Sequence, residues 1–193
     1  MGAGCIVVYD LISENWGVLK NTEYVHKLRA ARIRATELLH RLGVLCTESV
    51  ILVSNSKIDE VNQVIDDVKR LYDVVLGEIE RALGVAFPKP IIRVLGLTTE
   101  QYDAFKDMAE RRLREALDAN IDRVRGLSER LEDVKGSDNV RSFLASLKKL
   151  RREWLRIRDH VRALGIPLED EISQLIQLID DMVTSIKANA RGK

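Results

Sequence analysis

The spacing of apolar residues changes several times along the first hundred residues, and each change predicts a different element. A continuous apolar run at 5–8, within the strand predicted over 5–11, is typical of a central strand covered on both faces. Residues 25–42 then repeat apolar positions every three or four residues, as one face of a helix does. The same spacing predicts a second helix over 57–83, and the run at 91–97 predicts another buried strand.

Between the first helix and the second, Gly43 is followed by the run VLCTESVILVS at 44–54. This run is one long strand or two short strands joined at 47–49, and the pattern alone leaves both open. A hairpin would give the order β-α-β-β-α-β, and the right-handed crossover rule would place both helices on one face of the sheet. The opposite face would be bare and must be covered by a second subunit or by the C-terminal helices, and we expect a homodimer through this open face or through the helical arm described next.

The second half of the chain reads as almost wholly helical. One long helix is predicted over 100–134, a turn at 135–138 with Asp138 as N-cap, and a second helix that ends at Leu164. Apolar residues of the second helix alternate in steps of four and three, as in a coiled coil. They are Phe143, Leu147, Leu150, Trp154, Ile157, Val161 and Leu164. Gly165 and Pro167 precede a last helix, with inward residues Ile172, Leu175, Ile179, Met182 and Ile186.

These patterns predict an α+β protein in two parts. Residues 1–98 form a ferredoxin-like β-α-β-β-α-β module, and residues 99–193 form a long antiparallel helical hairpin and a final helix. Helix N-caps are expected at Thr22, at Ser56 and at Thr98 or Thr99, and Gly84 is expected to end the second helix.

Composition and charge restrict the classes of function. Charged residues make up 32% of the chain and aromatic residues 5%, which indicates charged helical faces around an aliphatic core and a heat-adapted composition. The net charge of +1 excludes a global field that would attract nucleic acid or an anionic membrane, so any basic site must be local.

Apolar runs and cysteines bear on the location of the protein. The longest apolar run is far shorter than a membrane span, and no basic segment precedes it as a signal peptide requires, so we expect a cytoplasmic protein without membrane contact. Cys5 and Cys46 have neither a disulfide framework nor metal-ligand spacing around them. Both are predicted to be buried as small apolar residues.

Two helix faces are locally basic. The first helix carries Arg29 and Arg32, and the segment 148–162 carries seven Lys and Arg residues against Glu153 and Asp159. The neighbouring helices are acidic, so we favour pairing across helices, while a basic stripe along a phosphate backbone can hold on a different side of the same helix. Residues predicted to contact nucleic acid are Arg29, Arg32, Lys148, Lys149, Arg152 and Arg156. Trp154 lies in the inward stripe and is predicted to belong to the core.

Residues able to carry catalysis are few. His26, His40 and His160 lie in separate helices among polar residues, without a nucleophile or an acid at a useful spacing, and are expected to be solvated. No glycine-rich phosphate loop follows the first strand. Asp10 ends that strand, where an aspartate ordinarily caps the following loop.

Two stretches carry a family resemblance: CIVVYDLI, and RIRATELLHRLGVLCTESVILV. They resemble the opening of the small CRISPR-associated protein that partners the spacer-inserting integrase, with a first strand ending in Tyr-Asp, an Arg-rich helix ending at Gly, and a Ser-Val pair opening the third strand. Over nearly the whole length, the chain resembles even more the N-terminal domain of chromate-resistance regulatory proteins, including a charged helical hairpin at 111–161. The phenylacetate-repressor family carries a related ferredoxin-like module.

The first resemblance implies a role for Asp10. In members of that family credited with nuclease activity, this Asp is the proposed metal ligand, one from each subunit, and such a pair could hold Mg²⁺ or Mn²⁺ and orient water for phosphodiester cleavage. The chain departs from that family at Ile51, where an aromatic residue is usual, and in its longer loop after Asp10. It departs from the chromate-type pattern at Ser54 and Asn55, where a Pro is usual.

Two hypotheses follow. The preferred one is a dimeric, non-enzymatic regulatory or scaffold protein without a cofactor, which contacts nucleic acid through its basic helix faces. The alternative is a metal-dependent nuclease that uses Asp10.

Overall fold

The computed structural model describes residues 4–20, 22–129 and 137–191, and the fold is α+β, as predicted. The described residues form four strands and five α-helices. These are β1 Gly4–Asp10, α1 Tyr24–Leu39, β2 Val44–Thr47, β3 Val50–Ser54, α2 Ile58–Leu83, β4 Ile91–Leu97, α3 Thr99–Glu129, α4 Ser137–Leu164 and α5 Glu169–Arg191. The chain divides into two compact units, 1–109 and 110–193, and the predicted division after residue 98 falls between β4 and α3.

The four strands form one antiparallel sheet in the order β2-β3-β1-β4. The run at 44–54, which the pattern left open, is a hairpin of β2 and β3. In the centre of the sheet, Val7 of β1 is paired with Ile51 of β3 on one side and with Val94 of β4 on the other. The two edges of the sheet are therefore the short strand β2 and the strand β4.

One face of the sheet carries α1 and α2. Alternate residues of β1 and β3 share one buried core with the inward residues of both helices. This core contains Cys5, Val7, Tyr9, Leu28, Ala35, Leu39, Ile51, Val53, Val61, Ile65, Val68, Tyr72, Leu76 and Ile79. Both cysteines are buried, as predicted, and neither forms a disulfide.

The opposite face is covered by this chain itself over β1, β2 and β3. The first turns of α3 contact it, since the ring of Tyr102 lies against Gly4 and Cys46 Sγ lies 3.4 Å from the carbonyl oxygen of Phe105. Ile6 and Leu52 on this face are buried. Over these three strands the face is therefore covered by the first of the C-terminal helices, one of the two alternatives that the pattern left open, because α3 extends back across the sheet.

Strand β4 is largely exposed, and the prediction of a buried strand was wrong. Ile91, Val94 and Leu95 are 54%, 42% and 49% exposed. Strand β4 pairs only with β1, and its other edge has no partner among the described strands. Its continuous apolar sequence does not distinguish an edge strand from a central one.

Two of the predicted helix ends are confirmed. The Thr98 amide donates to Gln101 Oε1 (3.0 Å) and the Gln101 amide donates to Thr98 Oγ1 (3.3 Å), a reciprocal cap of α3. Gly84 ends α2 with a φ of 65°, a left-handed conformation in which glycine is not strained.

The predicted caps at Thr22 and Ser56 were wrong. Helix α1 begins at Tyr24, and Thr22 Oγ1 instead donates to the carbonyl oxygen of Leu19 at 2.7 Å. Helix α2 begins at Ile58, and the hydroxyl of Ser56 is hydrogen-bonded to that of Ser54 at 2.8 Å. Each hydroxyl makes its hydrogen bond within the loop before its helix and does not accept one from an amide in the first turn of the helix.

In the unit 110–193, α4 and α5 are antiparallel neighbours. Arg151 pairs with Asp180 and Arg162 pairs with Glu169, so the pairing runs in opposite directions along the two helices. The predicted inward residues of α5 are all buried, as are Leu147, Trp154, Val161 and Leu164 of α4. The periodicity therefore identified the core of this unit correctly.

The predicted turn between α3 and α4 lies mostly outside the described residues, as do residues 130–134 at the predicted end of α3. Helix α4 begins at Ser137, so Asp138 lies inside the helix and the prediction that it is the N-cap was wrong. The antiparallel hairpin of α3 and α4 stays a prediction.

Candidate nucleic-acid interface

The cations of α4 divide between two sides of the helix. On the side facing α5, Arg151 Nε lies 2.6 Å from Asp180 Oδ1, and Arg162 Nε donates to Glu169 Oε1 at 3.0 Å. The hydrogen bond from Arg162 lowers the pKa of Glu169 below its ordinary value. Pairing across helices, the reading that the sequence favoured, holds for this side.

A second set of cations lies on the other side of α4. Lys148, Lys149, Arg152 and Arg156 follow one another at steps of one, three and four residues, which keeps them within one sector of a helix with 3.6 residues per turn. We call these four residues the α4 basic face. Lys148, Lys149 and Arg152 are exposed, and Arg156 is half-buried.

Among the described residues, no carboxylate lies close enough to pair with the α4 basic face. Within the part of the chain that the structure describes, none of its four residues has a carboxylate oxygen within 4.0 Å, the limit at which ion pairs are counted. Arg152 Nε donates to the backbone oxygen of Lys148 at 3.3 Å. Arg156 Nε is buried and has no hydrogen-bond partner in the part of the chain that the structure describes. Asp159 follows Arg156 by three residues and marks the end of the basic stretch.

The predicted contacts on α1 are already engaged with a carboxylate. Glu14 Oε1 lies 3.1 Å from Arg29 Nε, and Glu14 Oε2 lies 2.9 Å from Arg32 Nη1. The Glu14 side chain is only 14% exposed. A hydrogen bond from its own backbone amide, together with the two arginines, holds the pKa of Glu14 below its ordinary value. Arg29 and Arg32 therefore carry less uncompensated charge than the α4 basic face.

Asp10 is exposed at the end of β1, where its backbone partner in β4 is Ile91. No group of three or more His, Cys, Asp or Glu side chains that could hold a metal ion occurs among the described residues. The residues around Asp10 in one chain do not fit a divalent-metal centre by themselves. A site for Mg²⁺ or Mn²⁺ would need the second carboxylate that the family resemblance assigns to another copy.

Two of the three histidines are not solvated, and that prediction was wrong for them. His40 Nε2 lies 3.1 Å from the hydroxyl of Tyr9, which donates its proton to the backbone oxygen of Glu48 at 2.9 Å. His40 must therefore donate from Nε2. His160 is buried on α4, while His26 is exposed as predicted.

The sequence contains a signal for the burial of His160, because this residue follows Ile157 by three positions and precedes Leu164 by four, as a residue on the inward side of α4 would. The same spacing places Tyr72 between Val68 and Leu76 on the inward side of α2. Tyr72 is fully buried, its hydroxyl has no hydrogen-bond partner among the residues that the structure describes, and burial raises its pKa to about 12.

Comparison of the chain with protein-family models, with curated proteins and with solved structures finds no match. The resemblances to the CRISPR-associated and chromate-resistance families therefore stay hypotheses. Among the described residues, no helix is both long enough and apolar enough to cross a membrane.

Proposed function

We propose that the protein is a dimeric, non-enzymatic regulatory or scaffold protein that contacts double-stranded nucleic acid through the α4 basic face. A ferredoxin-like module at the N-terminal side is supported by the β-α-β-β-α-β element order and the strand order β2-β3-β1-β4. The helical unit supplies the binding surface in this proposal.

The observation that carries the proposal is the contrast between the two sides of α4. Arg151 and Arg162 are neutralised by acids of α5, whereas four cations on the other side have no carboxylate within ion-pair distance among the described residues. A cation that no protein group neutralises is free to replace the counterions of a phosphate backbone.

The dimensions of the α4 basic face suit a nucleic-acid backbone. Lys148 and Arg156 are eight residues apart, which corresponds to about 12 Å along a helix axis. This length matches the rise of about three to four base pairs at 3.4 Å each. The contacts would be made to phosphates, so the binding is expected to be independent of base sequence.

The test is a fluorescence-anisotropy titration of a labelled DNA duplex at several salt concentrations. Each phosphate contact adds about 0.9 to the slope of log affinity against log salt, so Lys148→Gln combined with Arg152→Gln should reduce this slope by about 1.8 and weaken binding. The matched control is Arg34→Gln combined with Arg70→Gln, which removes the same charge from exposed residues already paired with Glu37 and Asp67. Equal losses in both variants, or no salt-dependent binding by the wild type, would contradict the proposal.

The same substrates test the alternative activity. Incubation with DNA and RNA in Mg²⁺ or Mn²⁺ should leave them intact if the protein is non-enzymatic. Cleavage that disappears in Asp10→Ala would replace the proposal by the nuclease hypothesis.

The dimer is proposed to form through the part of the sheet face that α3 leaves open, at β4. Support comes from Ile91 and Leu95, exposed apolar residues of β4 that share this face with Arg93, the only charge of the strand, and from the edge of β4, which has no partner among the described strands. Edge strands that do not pair with another chain are usually protected by charges, prolines or β-bulges. The pairing of β4 with β1 has no register shift and therefore no β-bulge.

Ile91→Lys combined with Leu95→Lys should convert the dimer to a monomer, because two buried ammonium groups per copy would have to be desolvated at the interface. Light scattering after size-exclusion chromatography measures the mass. The control is Val74→Lys, since Val74 of α2 is 71% exposed and lies outside this surface. A wild type that is monomeric at every concentration would refute the dimer.

A further inference from the structure

A cavity of about 310 Å³ lies between the loop that follows β1 and the start of α1. Its lining residues are Glu14, Asn15, Lys20, Val25 and Arg29. The volume is at the small end of the range for ligand sites in proteins. Two cations, a carboxylate, an amide and one apolar side chain thus surround a space of a size that suits a small polar molecule.

Hydrogen-bond donors in this cavity are in excess. A guanidinium has five N–H donors, and Arg29 uses Nε for Glu14, with no further hydrogen bond among the described residues. Lys20 is exposed, and its ammonium group has no ion pair within the part of the chain that the structure describes. Asn15 adds an amide to the lining.

The charge around the cavity identifies the class of ligand. Lys20 and Arg29 line it, and Arg32 binds the second oxygen of Glu14, so three positive charges stand against one negative charge. The net charge of about +2 matches a phosphomonoester, which carries about −1.5 to −2 at pH 7, and exceeds the single charge of a carboxylate. The phosphomonoester also presents three acceptor oxygens to the surplus donors.

We propose that this cavity binds the phosphomonoester group of a small molecule or of a nucleic-acid strand end. Lys20 and Arg29 contact the phosphate oxygens, and Glu14 is a positioning residue that holds Arg29 at the wall of the cavity. The site belongs to the unit 1–109 and does not depend on the α4 basic face.

Trp16 provides a reporter for binding. It follows Asn15 directly, is partly exposed, and its ring centroid lies 5.3 Å from that of Phe87. The second tryptophan, Trp154, is buried in the other unit. A change in Trp16 emission can be isolated in a Trp154→Phe background, and the thermal midpoint of the wild-type chain gives an independent signal.

The titration uses inorganic phosphate, a nucleoside monophosphate, and a short oligonucleotide with either a 5′-phosphate or a 5′-hydroxyl, with acetate as the carboxylate probe. We expect saturable emission changes and raised thermal midpoints with the phosphorylated probes and none with acetate or the 5′-hydroxyl strand. Saturation by the nucleoside monophosphate assigns a small ligand, whereas saturation by the 5′-phosphorylated strand alone assigns a strand end.

Lys20→Gln and Arg29→Gln should each weaken binding about tenfold or more, because each removes a charge-assisted hydrogen bond. The matched control is Arg34→Gln, an exposed arginine of α1 that pairs with Glu37. Lys20 has no ion pair to lose in the described protein, so Lys20→Gln remains a valid test even if Arg29→Gln does not fold. The absence of saturable binding by any phosphorylated probe, equal binding of acetate, or equal affinity of Lys20→Gln and Arg34→Gln would overturn the proposal.

Discussion

Replacing Gly43 by alanine is expected to destabilise the protein by about 3 kcal/mol or more, the upper range for overpacking a filled site. A Cβ at this position would lie 1.9 Å from the backbone oxygen of Leu52 and 2.9 Å from its carbonyl carbon. Backbone atoms cannot rotate away as the end of a side chain can. The next residue, Val44, is paired with Leu52, so relief of the clash requires β2 to separate from β3.

Urea unfolding followed by far-UV circular dichroism measures the change in the free energy of unfolding. The matched control is Gly77→Ala, because Gly77 lies inside α2 and a Cβ there has no neighbour within 4 Å. Alanine at an open helical position should stabilise by about 0.5–1 kcal/mol. A Gly43→Ala variant as stable as the wild type would show that β2 does not approach this backbone so closely.

Trp154→Ala is expected to cost about 3–5 kcal/mol, as is typical of a buried Trp or Phe replaced by alanine. Trp154 is 2% exposed on the inward side of α4. Loss of the indole leaves a cavity in the core of the unit 110–193, and helices fixed by their neighbours fill such a cavity only in part.

The same urea experiment measures this change, with Arg152→Ala as the control on the same helix. Arg152 is exposed and has no ion pair to lose among the described residues, so its replacement should change the free energy of unfolding by no more than about 0.5 kcal/mol. Arg152→Ala should nevertheless weaken binding to duplex DNA under the proposed function. If Trp154→Ala is no more destabilising than Arg152→Ala, Trp154 does not belong to the core.

The success of the sequence predictions depended on how local the determining forces were. The extents of β4 and α4 followed closely from periodicity, and the cap of α3 lies at Thr98, one of the two threonines that the sequence offered. Each involves residues within a few positions of one another. Thr22 and Ser56 show the limit of this reasoning, because a hydroxyl near the start of a helix can hydrogen-bond either to an amide of the first turn or to a group in the preceding loop.

The candidate sites depended on contacts that spacing does not describe. Arg29 and Arg32 were predicted to contact nucleic acid, and Glu14 pairs with both from a loop fifteen or more residues away. On α4, a single basic run contains both paired and unpaired cations, and the division depends on which sector of the helix faces α5. His40 was predicted to be solvated, and the fold places it beside Tyr9 of β1.

By itself the sequence determined the α+β class, the order of helices and strands, and the aliphatic cores of the two units, because burial of apolar residues at fixed spacing is a local property of each element. Tertiary structure decided that 44–54 is a hairpin, that α3 covers the sheet face over β1 to β3, and that β4 is an exposed edge. It also decided which cations stay unpaired. Coverage and neutralisation depend on elements distant in sequence, and no periodic pattern encodes which distant element comes to lie beside a given face.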